Sequence, residues 1–244
     1  MNRIALTLLA GVATLGFASS TLAADLIVST PVVSPGVVDV SGSWDGAYIG
    51  GFVGYGWGDA DGASLADVSP TSGPYPTDGV DTDISGWLAG VKLGYNFHAT
   101  DGVVVGVVGD LAWSGIGGEV SGYGAPYTFY NGTTHEINWA GSVRGIIGFD
   151  GGAFLPYLTG GLAVANATRT NASGSLEASA THFGWTVGAG VEVAVADNVS
   201  LNLEYRYSDY GTQTYEWEVN PSNYDDAVVG ITAHTVTAGI NFHF

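Results

Sequence analysis

The 244-residue chain has no cysteine, which excludes disulfides, Cys-ligated zinc and thiol nucleophiles. It is poor in basic residues: five Lys plus Arg stand against 23 Asp plus Glu, for a net charge of −18. No basic face can be assembled from so few cations, so nucleic acid is excluded as a conventional partner, and so are anionic surfaces read by Lys and Arg. Charged residues make up 11% of the chain, less than half the roughly 25% of an ordinary soluble domain. Proline is modest at 8 residues while glycine reaches 39 without a three-residue period, which removes collagen-like and proline-rich disordered classes. Beyond the N-terminus no apolar run reaches the 18 or so residues a transmembrane helix needs, and no sustained 3.6-residue pattern survives.

The first residues form a processing signal. "MNRIALTLLAGVATLGFASSTLAADL" carries Arg3, an apolar run too short to span a bilayer, and the small-residue exit Thr21-Leu22-Ala23. Residues 1–23 are therefore expected to be a signal peptide. Residues 24–43, with Pro31 and Pro35, read as a loose periplasmic leader, and residues 44–244 as one β-domain.

That domain alternates. In "HTVTAGINFHF", at the end of the sequence, Val236, Ala238, Ile240, Phe242 and Phe244 oppose Thr235, Thr237, Asn241 and His243, which is the period of a strand with one greasy face. Eight such strands are expected, near 44–57, 84–97, 103–115, 135–149, 154–167, 181–195, 199–210 and 232–244. The turns "HATDG", "DGG" and "ADN" are short, whereas 58–83, 116–134, 168–180 and 211–231 are long. An even number of antiparallel strands with short turns at one end and long loops at the other is the plan of an all-β, eight-stranded antiparallel transmembrane β-barrel. The competing plan, a lipocalin-like soluble barrel, would put the greasy face inside.

Two patterns favour the membrane plan. The polar faces carry Gly, Ser, Thr and Asn with a few charges of both signs: Lys92, Asp110, Glu136, Arg144, Glu192, Glu204 and Arg206. A soluble exterior would carry many more Lys and Glu. These seven are expected to form a compensated luminal charge network, since a buried charge is tolerable only when paired. The greasy faces carry Trp57, Trp87, Trp113, Trp139 and Trp185 toward the long loops, and Tyr95, Phe97, Phe149 and Phe242 toward the short turns. Two outward aromatic levels are the girdles of a membrane barrel.

Catalytic chemistry is sparse. His98 lies in a short turn and His243 at the chain end; His135 and His182 sit at long-loop mouths on polar faces, and His234 near a strand top on a greasy face. There is no His-x3-His pair and no nucleophile elbow. "GGFVGYG" and "GWGDADG" resemble phosphate loops only in glycine density, because no helix follows. "NGT", "NAT", "NAS" and "NVS" at Asn131, Asn166, Asn171 and Asn198 match a glycosylation acceptor that a bacterial envelope protein leaves idle. Asp59, Asp61, Asp67, Asp78, Asp81 and Asp83 make the first long loop acidic, either as a solvated repulsive segment or as oxygen ligands for a hard cation. No cofactor, metal site or catalytic set is expected.

"WDGAYIGGFVGYGWG", "GWTVGAGVEVAVADNVSLNLEYRYSDYG" and the final "TVTAGINFHF" resemble the small eight-stranded outer-membrane proteins of alpha-proteobacteria, in the opacity-type porin superfamily. The resemblance covers nearly all of the chain after Ser43. It implies an abundant envelope protein, exported to the Gram-negative outer membrane, whose partners are outer-membrane lipids, lipopolysaccharide and the barrel-assembly machinery, with host or surface ligands reached through the loops. It implies that Ile240, Phe242 and Phe244 form the C-terminal assembly signal. It implies no single activity, since members are described as structural, weakly pore-forming, adhesive or haem-binding. The expected function is a non-enzymatic barrel presenting acidic loops at the surface. A weak small-solute porin, its narrow wet path left by interior glycines, is the alternative. A lipid-modifying barrel enzyme using His135 or His182 as base, or a haem- or host-binding surface protein, stands third.

Overall fold

The computed structural model describes residues 44–64, 80–121, 131–170, 173–174, 177–215 and 227–244. Residues 1–43, and with them the expected signal peptide and leader, lie outside the described residues, as do Asp67, Asp78 and Asn171. Eight strands follow in order: β1 (Gly46–Ser64), β2 (Val80–Thr100), β3 (Val103–Glu119), β4 (Thr134–Phe149), β5 (Phe154–Thr170), β6 (Glu177–Ala196), β7 (Val199–Tyr215) and β8 (Ala227–His243). Each pairs antiparallel with the next, and β8 pairs with β1, closing the barrel. Closure leaves no row of unpaired backbone groups facing outward. Among the described residues there is no helix.

The short turns match the sequence reading. Asp101-Gly102 joins β2 to β3 with Gly102 at φ 79°, the left-handed conformation that a two-residue hairpin turn demands. At the other end the strands run further than alternation indicated: β2 begins at Val80 and β7 continues to Tyr215. Their ladders go on past the apolar band into a zone where neither face needs to be greasy, so hydrophobic periodicity could not mark the ends. Asp59, Asp61, Asp81 and Asp83 thus sit on paired strands rather than in a loop, with Asp59 opposite Asp83 and Asp61 opposite Asp81. Arg169, expected in a loop, belongs to β5.

The outer surface is greasy. Val53, Val91, Leu93, Val143, Leu158, Leu162 and Leu203 are all exposed. Trp57, Trp87, Trp113 and Trp185 ring this band on one side, with Trp139 half-buried beside Trp113. Tyr95, Phe97, Phe149 and Phe242 ring it on the other. Trp87 and Phe97 are ten residues apart on β2. That is about 33 Å along a strand at ~3.3 Å per residue, or about 25 Å of height at a tilt of ~40°, the height of a membrane barrel's apolar belt.

The inside is filled in three layers. At the short-turn mouth Trp44, 1% exposed, packs with Val104, Leu155 and Ala194. The middle is polar and charged. At the long-loop end Ala60, Ile84, Ile116, Ile137, Ala167, Ala178, Tyr215, Val229 and Ile231 make a buried apolar vault that the sequence reading did not anticipate. Several interior glycines are covered by aromatic rings rather than left open. A Cβ on Gly94 would strike the Tyr48 ring, one on Gly90 the Phe52 ring, and one on Gly190 the Tyr157 ring. Each is the register partner of the residue concerned, or is overlain by it. The glycines are the floor on which these rings lie. The described residues of the middle layer line a cavity of about 20 Å³ beside Asp110, Ser142 and Arg206 and another of about 10 Å³ beside Lys92, Asn96 and Asn241. Each has room for about a single water.

One β4 assignment is overturned. Glu136 is exposed on the outside and Ile137 is buried at 2% in the vault, the reverse of the sequence reading. The register explains it: Ile137 pairs with Ala167 and Trp139 with Asn166, so Asn138 is an extra residue. Such a bulge shifts the period-two phase and sends every side chain beyond it to the opposite face.

Candidate functional site

The middle layer is built from strands on opposite walls. Arg144 on β4 places Nη2 3.0 Å from Asp110 Oδ2 on β3 and Nη1 2.9 Å from Glu204 Oε1 on β7. Arg206 on β7 reaches across the lumen to Asp110 Oδ1 at 3.1 Å and lies 3.6 Å from its own strand's Glu204. Strands three and seven face each other across an eight-strand ring, so this is a bar through the bore. Ser142 locks it: its hydroxyl donates to Asp110 and accepts from Arg144 Nε at 2.8 Å and Arg206 Nη1 at 3.2 Å. Tyr157 donates to the second oxygen of Glu204 at 3.0 Å. A guanidinium fork suits this role because it can bind two carboxylates at once.

Below the bar, Glu192 accepts from Ser200, from Asn241 Nδ2 at 2.6 Å and lies 3.1 Å from His243 Nε2. Lys92 is buried in the same layer, with Nζ 5.8 Å from the Phe52 ring centroid, within cation–π range. Of the seven residues expected in the network, six are inside: Lys92, Asp110, Arg144, Glu192, Glu204 and Arg206. Glu136 is not, for the reason given above. The formal charges of the six cancel, three against three. Tyr48, Tyr157 and Ser142 were missed. The usable signal was a large inward residue paired in register with a glycine, as for Tyr48 and Gly94.

A second polar cluster guards the short-turn mouth. Trp44 Nε1 donates to Gly152 O at 3.1 Å. His98, beyond Phe97 and outside the apolar belt, has Nδ1 2.8 Å from Asp45 and Nε2 3.0 Å from Asp150. These contacts with Asp150 and Asp45 raise the imidazole above its usual range. Burial would raise the Asp150 carboxyl, but the Gly152 N–H and the His98 ring outweigh it and hold it lower.

The remaining histidines are accounted for. His135 and His182 are buried at the vault, His182 with Nε2 2.9 Å from the Tyr215 hydroxyl. His234 is on the outer surface, stacked on Trp57 with ring centroids 5.8 Å apart. No group of three metal-ligating side chains occurs among the described residues.

A closed barrel that pairs its inward charges and shows an apolar belt between two aromatic rings is a membrane-spanning β-barrel. Comparison with known sequences places it further: the profile described as "Outer membrane protein beta-barrel domain" matches residues 10–244, and the chain belongs to that family of the Gram-negative outer membrane. It is 33% identical over 206 residues to the 25 kDa outer-membrane immunogenic protein of Brucella abortus, covering 84% of each chain. It is 36% identical over 179 residues to a 22 kDa outer membrane protein of Rhizobium leguminosarum, covering 73% of this chain and 70% of the relative. Among solved structures, Neisserial surface protein A aligns over 80% of this chain and 97% of its own, with 20% identity and a TM-score of 0.44.

Proposed function

We propose that the protein is a non-enzymatic, non-conducting barrel that holds an acidic surface above the outer membrane, with the long-loop end outward. The observation that carries this is the doubly sealed bore: Trp44 below, the Asp110–Arg144–Glu204–Arg206 bar across the middle, and the apolar vault above. A solute would have to break a buried charge network and then cross an apolar core. The weak-porin reading loses its support with the filled glycine floor. The enzyme reading loses its base, because His135 and His182 are enclosed at 5% and 0% exposure rather than open to lipid or solvent. Asp59 and Asp83, exposed on the outer face above Trp57 and Trp87, begin the acidic crown. The immunogenicity recorded in the Brucella relative's name fits surface display.

Planar-bilayer recording tests this directly. No single-channel steps are expected from the folded protein, and reproducible steps would overturn the reading. Protease added to intact cells should cut within 65–79 or 216–226. Cutting confined to the turn at Asp150–Gly152 would reverse the orientation.

A further inference from the structure

The barrel wall parts between β6 and β7 above the tryptophan level. β6 pairs with β7 from Ala196–Val199 up to Trp185–Asp209. Beyond that pair β6 runs on against β5 to Glu177 and β7 runs on against β8 to Tyr215, but the ladder between β6 and β7 has ended. A bulge on β7 is the cause. Its register against β8 shifts between Asp209 and Thr212, where Gly211 takes φ 65° and donates its N–H to Asp209 Oδ1 at 2.9 Å. Tyr210 and Tyr215, on either side of the bulge, are buried in the vault.

One side chain spans the seam. His182 on β6, at 0% exposure, has Nε2 2.9 Å from the Tyr215 hydroxyl and Nδ1 3.4 Å from Gly211 O, so it touches both ends of the β7 extension. A carbonyl only accepts, so Nδ1 carries the proton of the neutral ring and Nε2 accepts from the phenol. A second proton has to go to Nε2, where the phenol already donates, and it puts a full charge beside Ala165 and Tyr215 of the vault. The groups around the ring do not compensate that charge. Arg169 on β5 has the same sign, its register partner His135 on β4 is itself buried, and Tyr210 and Tyr215 are phenols. Glu119, Glu136 and Glu177 are exposed, and Asp209 is taken up by the Gly211 N–H.

We infer that the β6–β7 seam is an acid-released latch: neutral His182 holds the β7 extension shut, and its protonation frees 212–215 and the chain that runs on into 216–226. Proton uptake and opening are then one step. Opening begins as pH falls below the ordinary imidazole value near 6.5 and grows about tenfold per pH unit. The surface at the long-loop end therefore differs between neutral and acidic surroundings.

Hydrogen exchange of the refolded full-length barrel in phosphatidylcholine nanodiscs tests this, with protection corrected for the intrinsic pH dependence of exchange. Between pH 7.5 and 5.5 the amides of 212–215 should lose about tenfold in protection, while those of Leu201 and Leu203 in the belt keep theirs. His182→Gln, which hydrogen-bonds but takes no proton, should abolish the response, and His135→Gln should leave it. Equal protection of the parent at the two pH values would overturn the latch. So would an undiminished response in His182→Gln, its disappearance in His135→Gln, or a loss spread through the belt. Should the variants not refold, NMR of the parent decides. A common midpoint for the His182 ring and the seam amides supports the latch; a ring that titrates while 212–215 stay protected overturns it. The readout does not depend on orientation in cells, so failure here leaves the surface-display reading standing.

Discussion

Arg144 does at one position what several residues share elsewhere: it binds carboxylates on two walls of the barrel. Arg144→Ala strands Asp110 and Glu204 in a closed interior, and leaving a buried charge without its partner costs about 3–5 kcal/mol. Urea titrations of the refolded barrel should show that loss, and Arg144→Lys should recover only part of it, because an ammonium lacks the planar fork. Glu136→Gln should stay within about 0.5 kcal/mol, as exposed substitutions do. A loss for Glu136→Gln comparable to that of Arg144→Ala would return Glu136 to the lumen and contradict the bulge. Six of the seven network residues were legible in the sequence because lipid forces a strict period of two on the belt. Glu136 was not, because one unpaired residue, Asn138, inverts the phase and leaves no mark in composition.

At the scale of elements, the belt was readable and its margins were not. The strands within the apolar band announce themselves by alternation. Their extensions past the tryptophan level carry Asp, Thr and Gly on faces that meet water outside and a small apolar vault inside, which dilutes the signal. The vault itself escaped notice because Ala60, Ala167 and Ala178 are too small to stand out, and Ile84 and Ile116 lie at or beyond the expected strand ends. The turns hold a different kind of information. His98 ties the chain before β1 to the β4–β5 turn through Asp45 and Asp150, the two carboxylates that face it. Its pKa is raised in the folded state. The stabilisation is therefore fully present below the unfolded value near 6.5, down to where the carboxylates protonate, and is lost as pH rises through the higher folded value. Because both partners are partly exposed, its size is about 0.2–1 kcal/mol. Comparing the protein with His98→Asn by urea titration should give a stability gap at about pH 5.5 that closes by about pH 9; a gap that widened with pH would refute the clasp.

For the whole molecule, deletion of Phe244 tests whether folding and recognition by an assembly machinery are separate. Phe244 is 82% exposed, and its backbone N–H donates to Ala47 O at 2.9 Å. The ring itself packs against little, so its deletion should cost purified refolding no more than about one hydrogen bond, ~1 kcal/mol. If the assembly machinery reads the final aromatic, the same deletion should sharply lower surface levels in cells, measured by antibody on intact bacteria. Unchanged levels would remove Phe244 from the assembly signal. The seam between β1 and β8 also has a consequence in time. Ala47 and Phe244 lie at opposite ends of the folded chain, yet neither edge is satisfied until they meet. Contacts of such long sequence separation form slowly, since the whole intervening loop must first be closed. One edge of the first strand must therefore wait, unpaired beside a greasy face, for the last one to be synthesised. Over that interval the unfinished protein is an aggregation hazard, and its concentration outside the membrane sets how fast the cell can safely make it.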